Sequence, residues 1–92
     1  MVEKKVIVYL KQGLQARNAI QFIQKTSSFN SEVSLIKQGK LVNGKSIMGV
    51  MSLAIRHEEE VTLLINGKDE EQAMNTIERL LNRHVYHEKK LQ

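Results

Sequence analysis

Alternating apolar and polar residues predict four β-strands in this chain. Residues 5–10, KVIVYL, combine β-branched and aromatic side chains and run into a loop with a glycine, so they predict a first strand. Residues 33–36 and 41–43 flank Gln38-Gly39, a turn sequence, and together predict a hairpin. Residues 61–66 alternate again and end in Asn-Gly, which predicts a fourth strand.

A helical period of apolar positions indicates three helices between and after these strands. The first is predicted over residues 16–27, with a short second helix opening at Ser46 and a third whose first turn follows Asp69, a residue suited to capping it. The apolar positions of the first helix fall on one face, which predicts the buried stripe Ala16, Ala19, Ile20 and Ile23. The corresponding stripe of the third helix is Ala73, Ile77, Leu80 and Leu81.

The element order β-α-β-β-α-β-α predicts an α+β fold, a four-stranded antiparallel sheet with three helices on one face. Alternation along the strands turns one set of side chains toward the helices: Val6, Val8, Val33, Leu35, Val61, Leu63 and Ile65. The opposite set would form an apolar patch on the open face of the sheet: Ile7, Tyr9, Ile36 and Leu64. We take this patch as a hypothetical self-association surface.

Length and composition restrict the classes of function. A chain of 92 residues has room for one small domain, and its 41% apolar and 26% charged residues are typical of a globular protein. It has no cysteine, hence no thiol chemistry, and no apolar run of the roughly 18 residues that span a bilayer, so we expect a cytoplasmic protein without membrane contact. The net charge of +4 is interleaved along the chain rather than concentrated, which argues against direct nucleic-acid binding.

The histidines and the basic residues near the C-terminus do not indicate a metal or cofactor site. The basic stretch contains Arg83, His84, His87, Lys89 and Lys90, and cations there suit the end of a helix. His57 lies in a charged loop far from the other two histidines, and no third ligand accompanies that pair, so no metal or cofactor is predicted.

Two segments carry a resemblance to a known family. Gly13-Leu14-Gln15-Ala16-Arg17-Asn18-Ala19 resembles the active-site loop of the HPr phosphocarrier family, and Asn43-Gly44-Lys45-Ser46-Ile47-Met48-Gly49-Val50-Met51-Ser52-Leu53 resembles its regulatory segment. The resemblance extends from about residue 2 to about residue 85. It implies the HPr open-faced β-sandwich, one domain over residues 1–92 with a C-terminal extension at residues 86–92.

The departures from the HPr pattern imply a regulatory protein and not an enzyme. In the family a histidine at position 15 accepts a phosphoryl group from Enzyme I, whereas the amide of Gln15 is not nucleophilic. Asn18 stands where the family has a proline, a residue suited to the start of a helix. With Gln15 in place of the histidine, the chain resembles the catabolite repression branch of the family, in which this histidine is likewise absent.

That branch implies a role for Ser46. Its counterpart is phosphorylated by HPr kinase/phosphorylase, and the product is a corepressor of catabolite control protein A, which itself contacts the DNA. We expect the partner to contact Gln15, Arg17, Ile47, Met48 and Met51, because Arg17 suits phosphate or carboxylate, exposed Met side chains adapt to partner surfaces, and the two helix starts lie on a common side.

Two other functions stay open. One is a binding module that regulates a metabolic enzyme without phosphorylation, using Gln15 and Arg17 as its contact surface. The other is a phosphocarrier of the sugar phosphotransferase system with a different acceptor. The resemblance further implies a homodimer formed by exchange of the first strand.

Overall fold

Four antiparallel strands form a single sheet in the order β1-β4-β2-β3, in a computed structural model that describes residues 1–83. The strands are β1 (Val2–Ile7), β2 (Glu32–Lys37), β3 (Lys40–Asn43) and β4 (Glu60–Asn66). The helices are α1 (Ala16–Ser27), α2 (Ile47–Ser52) and α3 (Glu70–Leu81). This confirms the predicted fold class and element order. His84, His87, the predicted core limit near residue 85 and the extension at residues 86–92 lie outside the described residues.

The first strand begins earlier than the sequence pattern predicts. It pairs with β4 from Val2 through Ile7, whereas the prediction placed the strand at residues 5–10. The difference arises because β1 is an edge strand, where exposed polar residues are tolerated on both faces. Val8 and Tyr9 leave the ladder, and their N–H groups donate to Glu59 O at 2.9 Å and Leu81 O at 2.8 Å.

The β2–β3 hairpin closes through a two-residue loop. Lys37 pairs with Lys40, and Gln38 and Gly39 between them both have positive φ, at 50° and 81°. Positive φ at both loop residues is the geometry whose twist matches that of the flanking strands.

The hydrophobic core lies between the sheet and the helices. All seven strand residues predicted to face the helices are buried: Val6, Val8, Val33, Leu35, Val61, Leu63 and Ile65. The predicted stripe of α3 is also buried, and Met74 joins it.

The buried face of α1 agrees with the prediction only in part, since Ala19 is buried as predicted but its neighbours on the face differ. Ala19, Phe22 and Thr26 are buried, whereas Ala16 is exposed and Ile20 is 52% exposed. Phe22 is the largest apolar side chain of α1, and the orientation that buries its ring leaves Ile20 exposed. Ile23 stays at the edge of the stripe, half-buried.

Asp69 precedes α3 but does not cap it with its side chain. Its carboxylate instead accepts hydrogen bonds from the backbone of Asn30 at 2.9 Å, from the backbone of Ser31 at 3.0 Å, and from the Ser31 hydroxyl. These bonds hold the pKa of Asp69 below its usual value, the Ser31 hydroxyl contributing most. Asp69 therefore joins the start of α3 to the turn between α1 and β2.

The four residues predicted for the open face of the sheet, Ile7, Tyr9, Ile36 and Leu64, are all half-buried, and Leu41 is an exposed neighbour of Ile36. Ile36 pairs with the exposed Leu41 on one side and with Thr62 on the other. Ile7 instead pairs with Glu60 at the edge of the sheet. The half-buried Leu64 lies on β4 two residues from Thr62, so the patch consists mainly of Ile36, Leu41 and Leu64. Leu41 is the member that the sequence pattern did not identify.

Candidate functional site

The Ser46 hydroxyl lies at the start of α2 and is part of the helix's own geometry. Ser46 is the N-cap residue, with extended backbone angles, and its Oγ accepts a hydrogen bond from Gly49 N at 3.1 Å. This confirms the predicted helix start. Ser46 is half-buried, so part of the residue is open to solvent.

The loop before Ser46 is held in place from three directions. Thr26 Oγ1, inside the buried face of α1, donates to Gly44 O at 2.8 Å. Gly44 N donates to Val33 O at 2.7 Å, and a Cβ at residue 44 would lie only 2.6 Å from Val33 Cγ1. Lys45 Nζ donates to Phe29 O at 2.8 Å. A glycine is therefore needed at position 44, and α1 and β2 together set the position of Ser46.

Exposed apolar side chains accompany this serine on α2. Met48 is 78% exposed and Met51 is 40% exposed, which agrees with their predicted place on the surface. Ile47 is different, because it is half-buried and packs against the core. Ile20 of α1, which was predicted to be buried, is instead a large exposed apolar residue on the helix that packs against α2.

The loop that carries Gln15 is as tightly built as the Ser46 loop. Gly13 has φ of +62° and is buried, and a Cβ there would meet the Ile55 carbonyl and lie 2.8 Å from Arg56 Cα. Leu14 N donates to Ile55 O at 3.0 Å. Ala16 then begins α1 with φ of +44°, a left-handed conformation that is costly for an alanine. The segment after α2 therefore supports this loop.

Gln15 contributes its backbone rather than its side chain to the start of α1. Its carbonyl accepts hydrogen bonds from Asn18 N at 3.0 Å and Ala19 N at 3.4 Å, while its side chain makes no capping bond. Asn18 Nδ2 donates to Gly13 O at 2.9 Å. Asn18 thus closes the loop with a side-chain bond, and α1 begins at Ala16 as predicted.

The two helix starts share the helix-bearing side of the sheet but lie at opposite ends of a helix pair. Leu14 joins the start of α1 to the segment after α2, and Thr26 joins the end of α1 to the loop before α2. The helices therefore run in opposite directions. Arg17, Ile20, Met48 and Met51 of this pair are exposed, whereas Gln15 and Ser46 are half-buried. Arg17 is exposed, and none of the salt bridges found within residues 1–83 uses it.

A lysine from the sheet holds the end of α2, a contact that sequence reasoning missed. Lys37 Nζ donates to Glu59 Oε1 at 2.7 Å and to the carbonyls of Leu53 and Ala54, both at 3.1 Å. Glu59 Oε1 also accepts from Arg56 N at 2.7 Å. The hydrogen bond from Lys37 is the main cause that lowers the pKa of Glu59.

His57 packs beside the strand end and not at Gln15. Its Nδ1 lies 3.2 Å from Leu10 O, and its ring meets that of Tyr9 edge to face at 6.4 Å. No cluster of three His, Cys, Asp or Glu side chains suited to a metal occurs among residues 1–83, and no helix there is long and apolar enough to cross a membrane.

Comparison with known proteins agrees with this architecture. The family model described as the PTS HPr component phosphorylation site matches residues 2–83. The chain is 53% identical over 77 residues to the HPr-like protein Crh of Halalkalibacterium halodurans, covering 84% of this chain and 92% of that protein.

Solved structures show the same fold. The crystal structure of the phosphocarrier protein HPr from Bacillus anthracis superposes with a TM-score of 0.86 at 44% identity, covering 87% of this chain and 95% of that one. A crystal structure of Crh from Bacillus subtilis, described as a dimer with domain swapping, gives a TM-score of 0.73 at 49% identity, covering 91% and 97%. On the strength of the matching family model, the sequence identity and the shared fold, this chain belongs to the HPr family.

Proposed function

We propose that this chain is a regulatory HPr-like protein in carbon catabolite repression, phosphorylated on Ser46 by HPr kinase/phosphorylase. The observation that carries the proposal is a half-buried serine at the N-cap of α2, followed by the exposed Met48 and Met51, in a chain 53% identical to Crh. Phosphorylation adds a charge of about −1.5 to −2 and three acceptor oxygens to a surface that is otherwise largely apolar.

The phosphorylated protein is then a corepressor of catabolite control protein A. The repressor would read the new charge together with Met48 and Met51, whose flexible side chains adapt to a partner. Arg17, exposed at the other end of the helix pair, would supply a second polar contact. The protein acts in the cytoplasm, without a membrane or a cofactor, and contacts DNA only through the repressor.

We do not expect residue 15 to accept or transfer a phosphoryl group. A phosphocarrier needs a nucleophile at the start of α1, and the carboxamide of Gln15 does not form a labile phosphoryl bond. His57 does not replace it, because its ring lies against Leu10 O and Tyr9.

The proposal is tested by measuring binding to purified catabolite control protein A before and after treatment of the chain with the kinase and ATP. We expect affinity to rise at least about tenfold on phosphorylation, because new charge-assisted hydrogen bonds form at a desolvated surface. Ser46→Ala treated in the same way should bind like the untreated protein. Equal affinity of both forms for the repressor would contradict the proposal.

Binding to a protein partner without phosphorylation is a second candidate function. It is favoured by the large apolar side chains that the unphosphorylated chain already exposes. Ile20, Met48 and Met51 are exposed large apolar residues on two neighbouring helices, a composition suited to a protein interface. A metabolic enzyme whose activity changes on addition of unmodified Ser46→Ala would support this function.

A homodimer formed by exchange of β1 is also proposed. The strand lies at an edge and, within residues 1–83, pairs with β4 alone, so it can leave one chain and pair with another at the cost of six residues of ladder. The Crh of Bacillus subtilis is described as a domain-swapped dimer. Sedimentation over a range of concentrations tests this, and a strictly monomeric chain at the highest concentration would contradict it.

A further inference from the structure

The end of α2 depends on a charged group from the sheet. Lys37 is the last residue of β2, yet its side chain is only 12% exposed and its ammonium group has three acceptors: the carbonyls of Leu53 and Ala54 and the carboxylate of Glu59. A lysine this covered requires such partners, because burial of an unpaired ammonium group is very unfavourable.

Helix α2 is too short to hold its own position. It has six residues, and helices of this length are not stable in water without tertiary contacts. The last carbonyls of a helix have no partner inside it, and Lys37 supplies a donor to the carbonyls of the two residues that follow α2. The chain then passes through Ala54 and Glu58, both with positive φ, a conformation that other contacts must maintain.

One carboxylate oxygen ties this turn together. Glu59 Oε1 accepts from Lys37 Nζ and from the backbone N–H of Arg56, so the same ion pair fixes both the end of α2 and the turn after it. At the other end of α2, Thr26 holds Gly44 next to Ser46. Each end of this helix is therefore held by one side chain from another element.

We propose that Lys37, with Glu59, is a positioning residue for recognition: it fixes the orientation in which α2 presents Ser46, Met48 and Met51 to a protein partner. This inference rests on the proposed function, since the partner used to test it is the Ser46 kinase. In this role Lys37 acts through the carbonyls of Leu53 and Ala54, which follow α2, and needs no contact of its own with the kinase or the phosphate.

The experiment compares Lys37→Met with Lys40→Met, which removes the same charge from the same hairpin at an exposed position without a salt bridge among residues 1–83. Hydrogen exchange of the α2 amides, read against the amides of β4, should be about tenfold faster in Lys37→Met and unchanged in Lys40→Met. The KM for Ser46 phosphorylation should rise several-fold while kcat changes little, because the chemistry at the hydroxyl is intact.

Two further variants separate positioning from folding. Lys37→Arg keeps the charge and donors on a larger, planar head group and should recover part of the wild-type KM. Glu59→Gln keeps an acceptor without the charge and should give an intermediate effect, which preserves the test if Lys37→Met does not fold.

The outcomes distinguish the two proposals. A wild-type chain that the kinase does not phosphorylate overturns the proposed function, and the recognition role of Lys37 with it. A wild-type chain that is phosphorylated, with unchanged α2 exchange and unchanged KM in folded Lys37→Met or Glu59→Gln, overturns the positioning role alone. Equal effects in Lys37→Met and Lys40→Met would likewise overturn it, because general charge would then be the cause.

Discussion

The Gln15 loop and the Ser46 loop are equally tightly packed, but they differ in the side-chain chemistry that they present. Both contain a glycine that no larger residue can replace without collision, Gly13 against Ile55 and Gly44 against Val33. Both end in an N-cap residue that begins a helix. Only one of them presents a hydroxyl, since Gln15 offers an amide that bonds to nothing in the helix it precedes.

The difference shows that the fold holds the Gln15 loop as firmly as the Ser46 loop, although residue 15 presents no nucleophile. The Gln15 loop contains Ala16 with positive φ, which costs free energy, and Gly13 packed closely against Ile55 and Arg56. Packing against the segment after α2 gives this loop a structural use. It follows that changes to the framework should be severe at both loops, and changes to the presented side chain only at Ser46.

The largest effect is expected from Gly13→Ala. The added Cβ would meet the Ile55 carbonyl in a residue that already has φ of +62°, so we expect a loss of about 3 kcal/mol in the free energy of unfolding. Gly39→Ala is the matched control, because residue 39 also has positive φ, at +81°, but has open space around it, and should lose about 1 kcal/mol. Urea unfolding measures both, and equal losses would show that packing against Ile55 is not tight.

A smaller loss is expected from Thr26→Val, which preserves shape but removes the donor to Gly44 O. A buried carbonyl without its partner costs about 1 to 2 kcal/mol, and we expect faster hydrogen exchange at Gly49 than in wild type. Thr76→Val, a half-buried threonine of α3 with no side-chain hydrogen bond among residues 1–83, serves as the control. Unaltered unfolding in Thr26→Val would contradict the role of α1 in placing Ser46.

Replacing Ser46 and replacing Gln15 should lower the free energy of unfolding by modestly different amounts. Ser46→Ala removes the acceptor for Gly49 N and should lower the free energy of unfolding by about 1 kcal/mol, while Ser46→Asn, which can still cap, should retain most of it. Gln15→Ala should change it by less than about 0.5 kcal/mol, because no capping bond is lost. Thermal unfolding of the three variants compares them directly, and a larger loss at Gln15 than at Ser46 would reverse the comparison.

The smallest expected effect is on the pH dependence of folding stability, through the carboxylate of Glu59. The pKa of Glu59 is lowered mainly by its hydrogen bond from Lys37, so the ionised form is favoured in the folded state. Its contribution is therefore complete above the ordinary pKa of 4.5 and is lost as pH falls through the lower folded value. Stability measured from pH 7 downward should fall less steeply in Glu59→Gln, whereas Glu71→Gln, an exposed control, should follow wild type.

The sequence predicts structural features that residues within a few positions determine. It does not predict features that depend on a partner distant in the chain. The hairpin at Gln38-Gly39 and the start of α2 at Ser46 depend on residues within a few positions, and both are confirmed. Asp69 bonds to Ser31, 38 positions away, so its ability to cap was outweighed by a partner that no local pattern reveals.

The candidate site shows the same division. Exposure of Met48 and Met51 followed from the family resemblance and is confirmed, while Ile20 was assigned to the core because its spacing fits a helical stripe. Burial of Phe22 rotated that stripe. Lys37 was missed because its acceptors lie 16 to 22 positions ahead, and a lysine at the end of a strand gives no sign of them in the sequence.

The central claim is that Ser46, and not residue 15, receives the phosphoryl group. Intact-mass spectrometry after incubation with HPr kinase/phosphorylase and ATP, and in parallel with Enzyme I and phosphoenolpyruvate, tests it most directly. The account predicts one phosphate from the kinase alone, absent in Ser46→Ala. A phosphate acquired from Enzyme I, or a kinase-dependent phosphate that persists in Ser46→Ala, would contradict it.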